Sequence, residues 1–397
     1  MTVEPVITLF SVLLVAGAAQ GSFLVLILLT LRQGHHVANR FLALLIFNFS
    51  LELLDEFCLQ SGYYVYFPKV SVLNWACDFL YGPLIFLYVR ALTQTGKQVR
   101  DGVWLWLHGV PFAVFLAVGV VLWVSVNEES YLVYLFGSQE VPVLGIVDAI
   151  TTLLSLISMV VYLRVSLGML RRHVGRVQAN FSYSENLGLR WLRNLLFGLS
   201  ALYLAYVFTL FTPVFLWNNV DLSNQIFYAA IVMSIFAWGF FGTRQPVIFS
   251  RRRLYGSGGE ETEGIDTVPV KEKHRPSALA PDQVAAILAE LRLLMDKERI
   301  FLDSQLALPQ LAKRMGLSPN YVSQAINEGA GVNFFDFVNR YRVDEAKRQL
   351  GTEGAGNNLA IAMASGFNSK TAFYSAFKKH TGMTPSEFKQ LPTADAA

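Results

Sequence analysis

Five carboxylates lie in or beside long apolar stretches, where an uncompensated charge is costly. Glu52, Asp55 and Glu56 occupy positions i, i+3 and i+4, so a helix would carry them on one face. Asp78 and Asp148 belong to two other apolar stretches. Because such a cluster cannot stay fully ionised without a positive partner, it is typical of a pocket for a cationic ligand, a metal ion or protons. The alternative is that some carboxylates lie at an interface with water, while others are protonated or hydrogen-bonded to Asn, Tyr or Trp.

Two groups of polar side chains near the C-terminus could read nucleic acid. Each group follows a glycine, Gly316 or Gly366, and 366 − 316 gives a spacing of 50 residues. Asn and Gln can hydrogen-bond adenine edges, whereas Lys can bond guanine or a phosphate. The candidate contacts to double-stranded DNA are Asn320, Tyr321, Ser323, Gln324 and Asn327, then Asn368, Ser369, Lys370, Thr371, Tyr374 and Lys378, with Lys379 as a further phosphate contact.

The residues around Gly316 have the layout of a helix-turn-helix. Leu311 lies on the inner face of the predicted first helix, and Gly316 permits the positive φ of a sharp turn. Ser318 is placed to cap the next helix, with Pro319 at its first position. An amphipathic helix is predicted to precede this unit, from about Pro281 to Lys297.

The same layout recurs fifty residues later in the chain. Ala362 takes the place of Ala312, a small residue where two helices cross, and Phe367 takes the place of Leu317, which fills the core. A helix over residues 333–350 is predicted to connect the two units. One such match is a weak signal, because any small helical hairpin can imitate it, but its recurrence makes the pattern specific.

The stretch from about Phe301 to Leu391 resembles the DNA-binding domain of the AraC/XylS family of bacterial regulators. Residues 366–373 and 377–388 look like the family's signature around the second helix-turn-helix, and 339–343 resembles its linker helix. The resemblance implies sequence-specific DNA binding by paired helix-turn-helix units. Two recognition helices on one linker can enter successive major-groove faces about 34 Å apart.

The chain departs from the family pattern just before the second unit. Asn358 stands where the family usually has isoleucine, and the loop over 351–357 is rich in glycine. We therefore expect the first helix of the second unit to be short or frayed. The family's common N-terminal sugar-binding barrel is also absent, and a long apolar half stands in its place.

This N-terminal half has the composition of a membrane protein. Of the 397 residues in the chain, 53% are hydrophobic and only 15% are charged, whereas soluble proteins carry about 25% charged residues. A helix needs about 20 apolar residues to cross a bilayer. The segments predicted to do so are the seven stretches Val6–Leu31, Phe41–Cys58, Val72–Leu92, Val103–Val126, Val141–Leu163, Trp191–Phe215 and Gln225–Gly242.

The distribution of Lys and Arg predicts the orientation of these spans. Basic residues concentrate after the first, third, fifth and seventh segments, whereas the alternate loops carry mainly Glu and Asp. Because basic loops remain in the cytoplasm, the N-terminus is predicted outside and the C-terminus inside. An odd number of spans agrees with that orientation.

We therefore predict an all-α protein: a seven-helix transmembrane bundle followed by a soluble all-helical domain with two helix-turn-helix units. The predicted boundaries are 1–250 for the sensor bundle, 251–281 for a flexible cytoplasmic linker and 282–397 for the DNA-binding domain. Cys58 and Cys77 are expected to be packed thiols, since a disulfide between them would require an oxidising outer face.

The predicted function is a membrane-embedded, sequence-specific transcriptional regulator in a bacterial cytoplasmic membrane, which couples a signal at the outer face or in the bilayer to transcription. Its expected partners are double-stranded DNA, membrane lipid, a second copy of the chain and an unknown small ligand or ion. No cofactor, metal or enzymatic activity is expected, because the apolar half carries no HExxH, GxSxG or Walker-type motif. The alternatives are a transporter or channel with a regulatory cytoplasmic tail, and a membrane enzyme.

Overall fold

The computed structural model describes residues 4–31, 36–93, 107–136, 141–182, 190–215, 220–243, 279–352 and 356–390. Within these ranges the chain is helical, apart from turns and one isolated antiparallel bridge between Phe181 and Ala307. The predicted all-α class is therefore confirmed for the described residues. The predicted linker, 251–281, lies outside them except for its last three positions.

The chain divides into two compact units. The first contains Met1–Leu170 and Trp191–Thr267, and the second contains Arg171–Arg190 and Val268–Ala397. A short piece from the middle of the chain therefore belongs with the C-terminal residues, which the order of residues along the chain does not suggest.

The first unit is built from the apolar stretches. Its helices are α1 (Leu9–Thr30), α2 (His36–Gln60), α3 (Ser71–Thr93), α4 (Val110–Ser125), α5 (Glu128–Phe136), α6 (Pro142–Asn180), α7 (Arg190–Phe215) and α8 (Val220–Thr243). The hydroxyl of Thr8 accepts the amide of Ser11 and begins α1 with a capping box. α1 packs on α2 and α8, α2 packs on α3, and α3 packs on α4.

Four of the described helices are long and apolar enough to cross a membrane, or five if the bent pair α4 and α5 forms one span. The four are Leu9–Thr30, Pro68–Thr93, Pro142–Asn180 and Trp191–Leu210. The predicted count of seven is therefore not supported within the described residues. The second predicted span lies in α2, where three carboxylates make the helix too polar. The seventh lies in α8, whose apolar part, Leu222–Trp238, is shorter than the roughly 20 residues a span needs.

α6 is much longer than the apolar stretch within it. Its 39 residues correspond to about 58 Å at about 1.5 Å per residue, which is about twice the thickness of a bilayer's hydrocarbon core. The helix continues beyond Leu163 because no proline interrupts the next 17 residues and Leu, Met, Arg and Gln there favour helix. The part from Arg171 onward belongs to the second unit.

Among its described residues, the second unit contains seven further helices. They are α9 (Pro281–Glu298), α10 (Leu308–Arg314), α11 (Pro319–Gly329), α12 (Phe334–Leu350), α13 (Asn358–Ala364), α14 (Lys370–Thr381) and α15 (Pro385–Phe388), with a 3₁₀ turn at Ile300–Leu302. α9 runs where the sequence predicted an amphipathic helix, and its buried stripe includes Leu288, Leu291 and Met295.

α12 contributes to two separate hydrophobic cores. Its N-terminal half places Phe334 and Val338 among residues of α9, α10 and α11. Its C-terminal half places Val343, Ala346 and Leu350 among residues of α13, α14 and α15. The two halves of the unit are therefore joined by one helix that is buried at both ends.

Candidate nucleic-acid interface

The first helical pair, α10 and α11, has the predicted turn geometry. Gly316 has φ of +68°, a left-handed conformation that glycine adopts without steric cost. The amide of Leu317 then bonds the carbonyl of Ala312 at 2.9 Å and closes the end of α10. The Ser318 hydroxyl accepts the amide of Tyr321 and caps α11, as the sequence predicted.

The second pair, α13 and α14, repeats this geometry. Gly366 has φ of +86°, and the Phe367 amide bonds the Ala362 carbonyl at 3.0 Å. The Ser369 hydroxyl accepts the amide of Ala372 and caps α14. The match to the first pair extends from the helix end through the turn to the cap.

The first helix of the second pair was expected to be short or frayed, and it is short but capped. α13 has seven residues, as α10 does, and the Asn357 side chain caps it by accepting the Leu359 amide. Asn358 is half-buried, and its amide donates to the hydroxyls of Tyr374 and Ser386, each at 3.0 Å. A polar residue at this position thus ties α13 to α14 and α15 where an isoleucine would pack.

The predicted contacts of the first pair lie along α11. Asn320 and Asn327 are exposed, while Tyr321, Ser323 and Gln324 are half-buried. The Gln324 amide donates to Glu328 at 3.0 Å, and the Asn327 amide donates to Ser323 at 3.4 Å. These i to i+4 bonds hold the polar side chains along the helix surface.

The predicted contacts of the second pair have more varied surroundings. Lys370, Thr371 and Lys378 are exposed, and Lys370 Nζ lies 5.4 Å from the centre of the Tyr374 ring. Ser369 is engaged in the helix cap, and the Tyr374 hydroxyl accepts from Asn358.

Asn368 and Lys379 complete the predicted set. Asn368 is half-buried in the turn before α14. Lys379 forms an ion pair of 2.6 Å with Asp336 in the first turn of α12. This pair joins the second helical pair to the linker helix, so Lys379 is less available to a phosphate than its neighbour Lys378.

Arg342 is the residue at the centre of the unit that sequence reasoning did not select. It lies on α12, only 1% exposed, and its guanidinium is 5.9 Å from the centre of the Phe367 ring. Its Nε donates to the Phe301 carbonyl and its Nη2 donates to the Asp303 carbonyl, each at 2.7 Å. A signal was present, because Arg342 lies four residues from both Val338 and Ala346 and so shares their buried face.

Burial lowers the pKa of the Arg342 guanidinium to about 10. The side chain therefore stays charged at neutral pH. A buried charge of this kind must be satisfied by hydrogen bonds, and Arg342 obtains them from carbonyl, amide and hydroxyl oxygens of the second unit.

The five candidate sensor carboxylates belong to the first unit, on α2, α3 and α6. Glu56 is buried and the other four are half-buried. The hydrogen bonds described for them come from neutral donors. Asn74 and Tyr228 donate to Glu52 at 3.2 and 3.3 Å, Tyr64 donates to Asp55, and Gln60 donates to Glu56 at 2.8 Å. Tyr134 also bonds Asp148.

Asp78 lies within electrostatic range of Glu52, Asp55 and Asp148, so three helices contribute carboxylates to one region. Among the described residues, no three His, Cys, Asp or Glu side chains are arranged to hold a metal ion. The hydrogen bonds described for these carboxylates come from Asn, Tyr and Gln side chains, which are neutral donors. Cys58 and Cys77 are free thiols, as expected.

Comparisons with known proteins concern the second unit. Residues 311–391 match the family model of a helix-turn-helix domain. The HTH-type transcriptional regulator YtdP of Bacillus subtilis (strain 168) is 32% identical over 89 residues, which are 22% of this chain and 11% of the relative. The transcriptional regulatory protein YesN of the same organism is 32% identical over 108 residues, which are 27% of this chain and 28% of the relative. The matched residues thus span less than a third of the length of either relative.

The solved structures that resemble this chain also match only part of it. The C-terminal domain of AraT, a response regulator from Geobacillus stearothermophilus, is 25% identical with a TM-score of 0.24, covering 29% of this chain and 88% of that one. The C-terminal domain of the two-component response regulator yesN from Fusobacterium nucleatum is 30% identical with a TM-score of 0.23, covering 26% of this chain and 99% of that one.

Proposed function

The C-terminal part of the chain is an AraC-type helix-turn-helix domain, and from that premise we propose that the protein is a membrane-embedded, sequence-specific transcriptional regulator. Its N-terminal half senses a signal at the outer face or in the bilayer, and its C-terminal domain responds on promoter DNA in the cytoplasm. The relatives are named as regulators and not as enzymes, which agrees with the prediction that the chain has no enzymatic activity.

The observation that carries the DNA-binding proposal is the repeated pair on one helix. α11 and α14 each follow a left-handed glycine and a serine cap, and both are anchored to α12 through cores of their own. Two recognition helices fixed to one linker helix can address two adjacent major-groove segments. The exposed side chains best suited to base edges are Asn320, Asn327 and Lys370.

The surface of the first unit supports the membrane proposal. Large apolar side chains are exposed all along its helices, including Ile146, Leu153, Ile157 and Val161 on α6, each more than half exposed. In the second unit, the large apolar side chains described as exposed are Leu293, Val332, Leu359 and Met363. Contiguous apolar surface is costly in water and is normal on a helix that faces lipid.

The carboxylates of α2, α3 and α6 are the candidate sensor. Ionisable groups at membrane depth mark ligand or proton sites more often than they serve stability. A cationic ligand or a change of protonation would alter the charge shared among these three helices. A second copy of the chain would then strengthen DNA binding through the effective concentration of paired domains.

The DNA-binding proposal is tested with the full chain purified in detergent and a pool of random duplexes. We expect enrichment of a bipartite sequence with half-elements about one helical turn apart. The double variant Gln324→Ala with Lys370→Ala should lose this enrichment, whereas Lys297→Ala, an exposed lysine on α9, should retain it. Absence of any sequence preference, together with measurable ion flux in vesicles, would favour the transporter alternative.

Membrane embedding and orientation are tested in intact cells. The chain should stay in the membrane fraction after an alkaline carbonate wash, and an epitope placed after Ala397 should resist protease added outside. Release of the chain into the carbonate wash, or cleavage of the epitope in intact cells, would contradict the proposal.

A further inference from the structure

The end of α6 lies against the helix-turn-helix domain through Ser182. Ser182 is only 1% exposed. Its amide bonds the Leu306 carbonyl at 3.1 Å, and its hydroxyl donates to the same carbonyl at 2.7 Å. The adjacent residue, Phe181, forms an antiparallel bridge with Ala307. These contacts fall within the second unit, to which residues 171–190 belong.

Ser182 also completes the hydrogen bonding of the buried Arg342. A guanidinium has five N–H donors, and five hydrogen bonds are described for this one. Two of them go to Ser182: Nη1 donates to its carbonyl and Nη2 to its hydroxyl, both at 3.0 Å. The remaining three go to Phe301, Asp303 and Asn339. Without Ser182, a buried charge would lose two acceptors, which is strongly unfavourable.

We propose that residues 171–182 are an intrachain docking segment of the helix-turn-helix domain, with Ser182 as its anchor and the Arg342 guanidinium with the Leu306–Ala307 main chain as its receptor surface. The anchor Ser182 lies two residues after the end of α6, and it bonds Arg342 of α12, the helix that both helical pairs share.

The geometry of Arg342 makes the docking a switch of two states. In the docked state, all five N–H donors of Arg342 are satisfied, and Arg342 joins α12 both to Ser182 and to the turn at Phe301–Asp303. In the undocked state, water must replace Ser182 at Nη1 and Nη2, so α12 and the Leu306–Ala307 main chain lose a shared partner. This inference does not depend on the membrane proposal, because the contacts involve the second unit alone.

The bridge suggests a direct test by disulfide formation. The bridge pairs Phe181 with Ala307. The hydrogen bond lies beside this pair, from the Ser182 amide to the Leu306 carbonyl. Phe181 and Ala307 therefore form a pair of the non-hydrogen-bonded type. Such pairs have Cα atoms about 4.5 Å apart, which a disulfide can span. In a full chain with Cys58→Ala and Cys77→Ala, the double variant Phe181→Cys with Ala307→Cys should form an intrachain disulfide under mild oxidation.

The matched control combines Phe181→Cys with Asn320→Cys, an exposed residue on α11. Its disulfide yield should be at least tenfold lower. Equal yields in the two double variants, or no intrachain disulfide in the first, would overturn the proposal. Products are distinguished from cross-linked dimers by their mass on non-reducing gels.

A second measurement adds a single cysteine to the cysteine-free chain. In the same cysteine-free background, Val177→Cys, a buried position of the segment that leaves Ser182 unchanged, should react with a membrane-permeant maleimide at least tenfold more slowly than Asn320→Cys, and the rates should converge in denaturant. Equal rates in the native protein would show that the segment is undocked and would overturn the proposal. Slow labelling with efficient cross-linking would support it.

Discussion

Gly366 lies directly against the main chain of Phe301. A Cβ atom at position 366 would be 2.5 Å from the Phe301 carbonyl oxygen and 2.8 Å from the Cα of Leu302. Gly316 occupies the same place in the first pair with a similar φ, but a Cβ there would meet open space. Gly316 therefore serves only the turn. Gly366 also allows the second helical pair to pack closely against Phe301 and Leu302, which precede the first pair.

This difference predicts unequal costs for one substitution. Gly316→Ala should destabilise the domain by about 1–2 kcal/mol, the cost of a left-handed conformation for an L-residue. Gly366→Ala should cost roughly 3 kcal/mol or more, because overpacking against backbone adds to the same cost. Pulse proteolysis of the full chain in urea would compare the two variants. Equal losses would contradict the close approach to Phe301.

Two substitutions at Ser369 distinguish its role as a helix cap from a role in DNA contact. Ser369→Ala should lose about 1 kcal/mol of stability, because the Ala372 amide loses its acceptor. Ser369→Asp should keep the cap yet weaken DNA binding, because a negative charge would face phosphates. Urea titration and fluorescence-anisotropy binding would measure the two effects. Equal DNA affinity of Ser369→Asp and wild type would place this residue away from the DNA.

Lys378 and Lys379 are neighbours with different expected roles. Lys378→Ala should reduce the salt dependence of DNA binding, with the slope of log K against log salt falling by about 0.9 for one lost phosphate contact. Lys379→Ala should change that slope less, since Lys379 is paired with Asp336. Binding isotherms at several salt concentrations give the slopes. A larger change for Lys379→Ala would reverse the assignment.

The carboxylate cluster predicts variants that affect signalling alone. Asp78→Asn and Asp148→Asn should each alter reporter output in cells while leaving the DNA affinity of the purified chain unchanged, because these residues belong to the first unit. Glu128→Gln, at the exposed start of α5, is the matched control and should behave as wild type. Unaltered output in both cluster variants would remove the sensor role.

Local patterns in the sequence were sufficient for the DNA-binding half. Gly316 and Gly366 take the left-handed conformation, Ser318 caps α11, and α12 connects the pairs, as residue types at these positions require. Such features depend on interactions over a few residues, which spacing alone reveals. Span counting was less successful, because the approximate length of an apolar stretch does not say where a helix ends or how many charges it tolerates.

By itself, the sequence determined that apolar helices are followed by two copies of a helix-turn-helix on a shared linker helix. Only the tertiary structure decided that Ser182 and Arg342, separated by 160 residues, share two hydrogen bonds, and that Ser369 is committed to a cap. The physical reason is that a buried charge needs acceptors from wherever the chain brings carbonyls and hydroxyls together. No periodicity along the sequence encodes which distant segment will supply them.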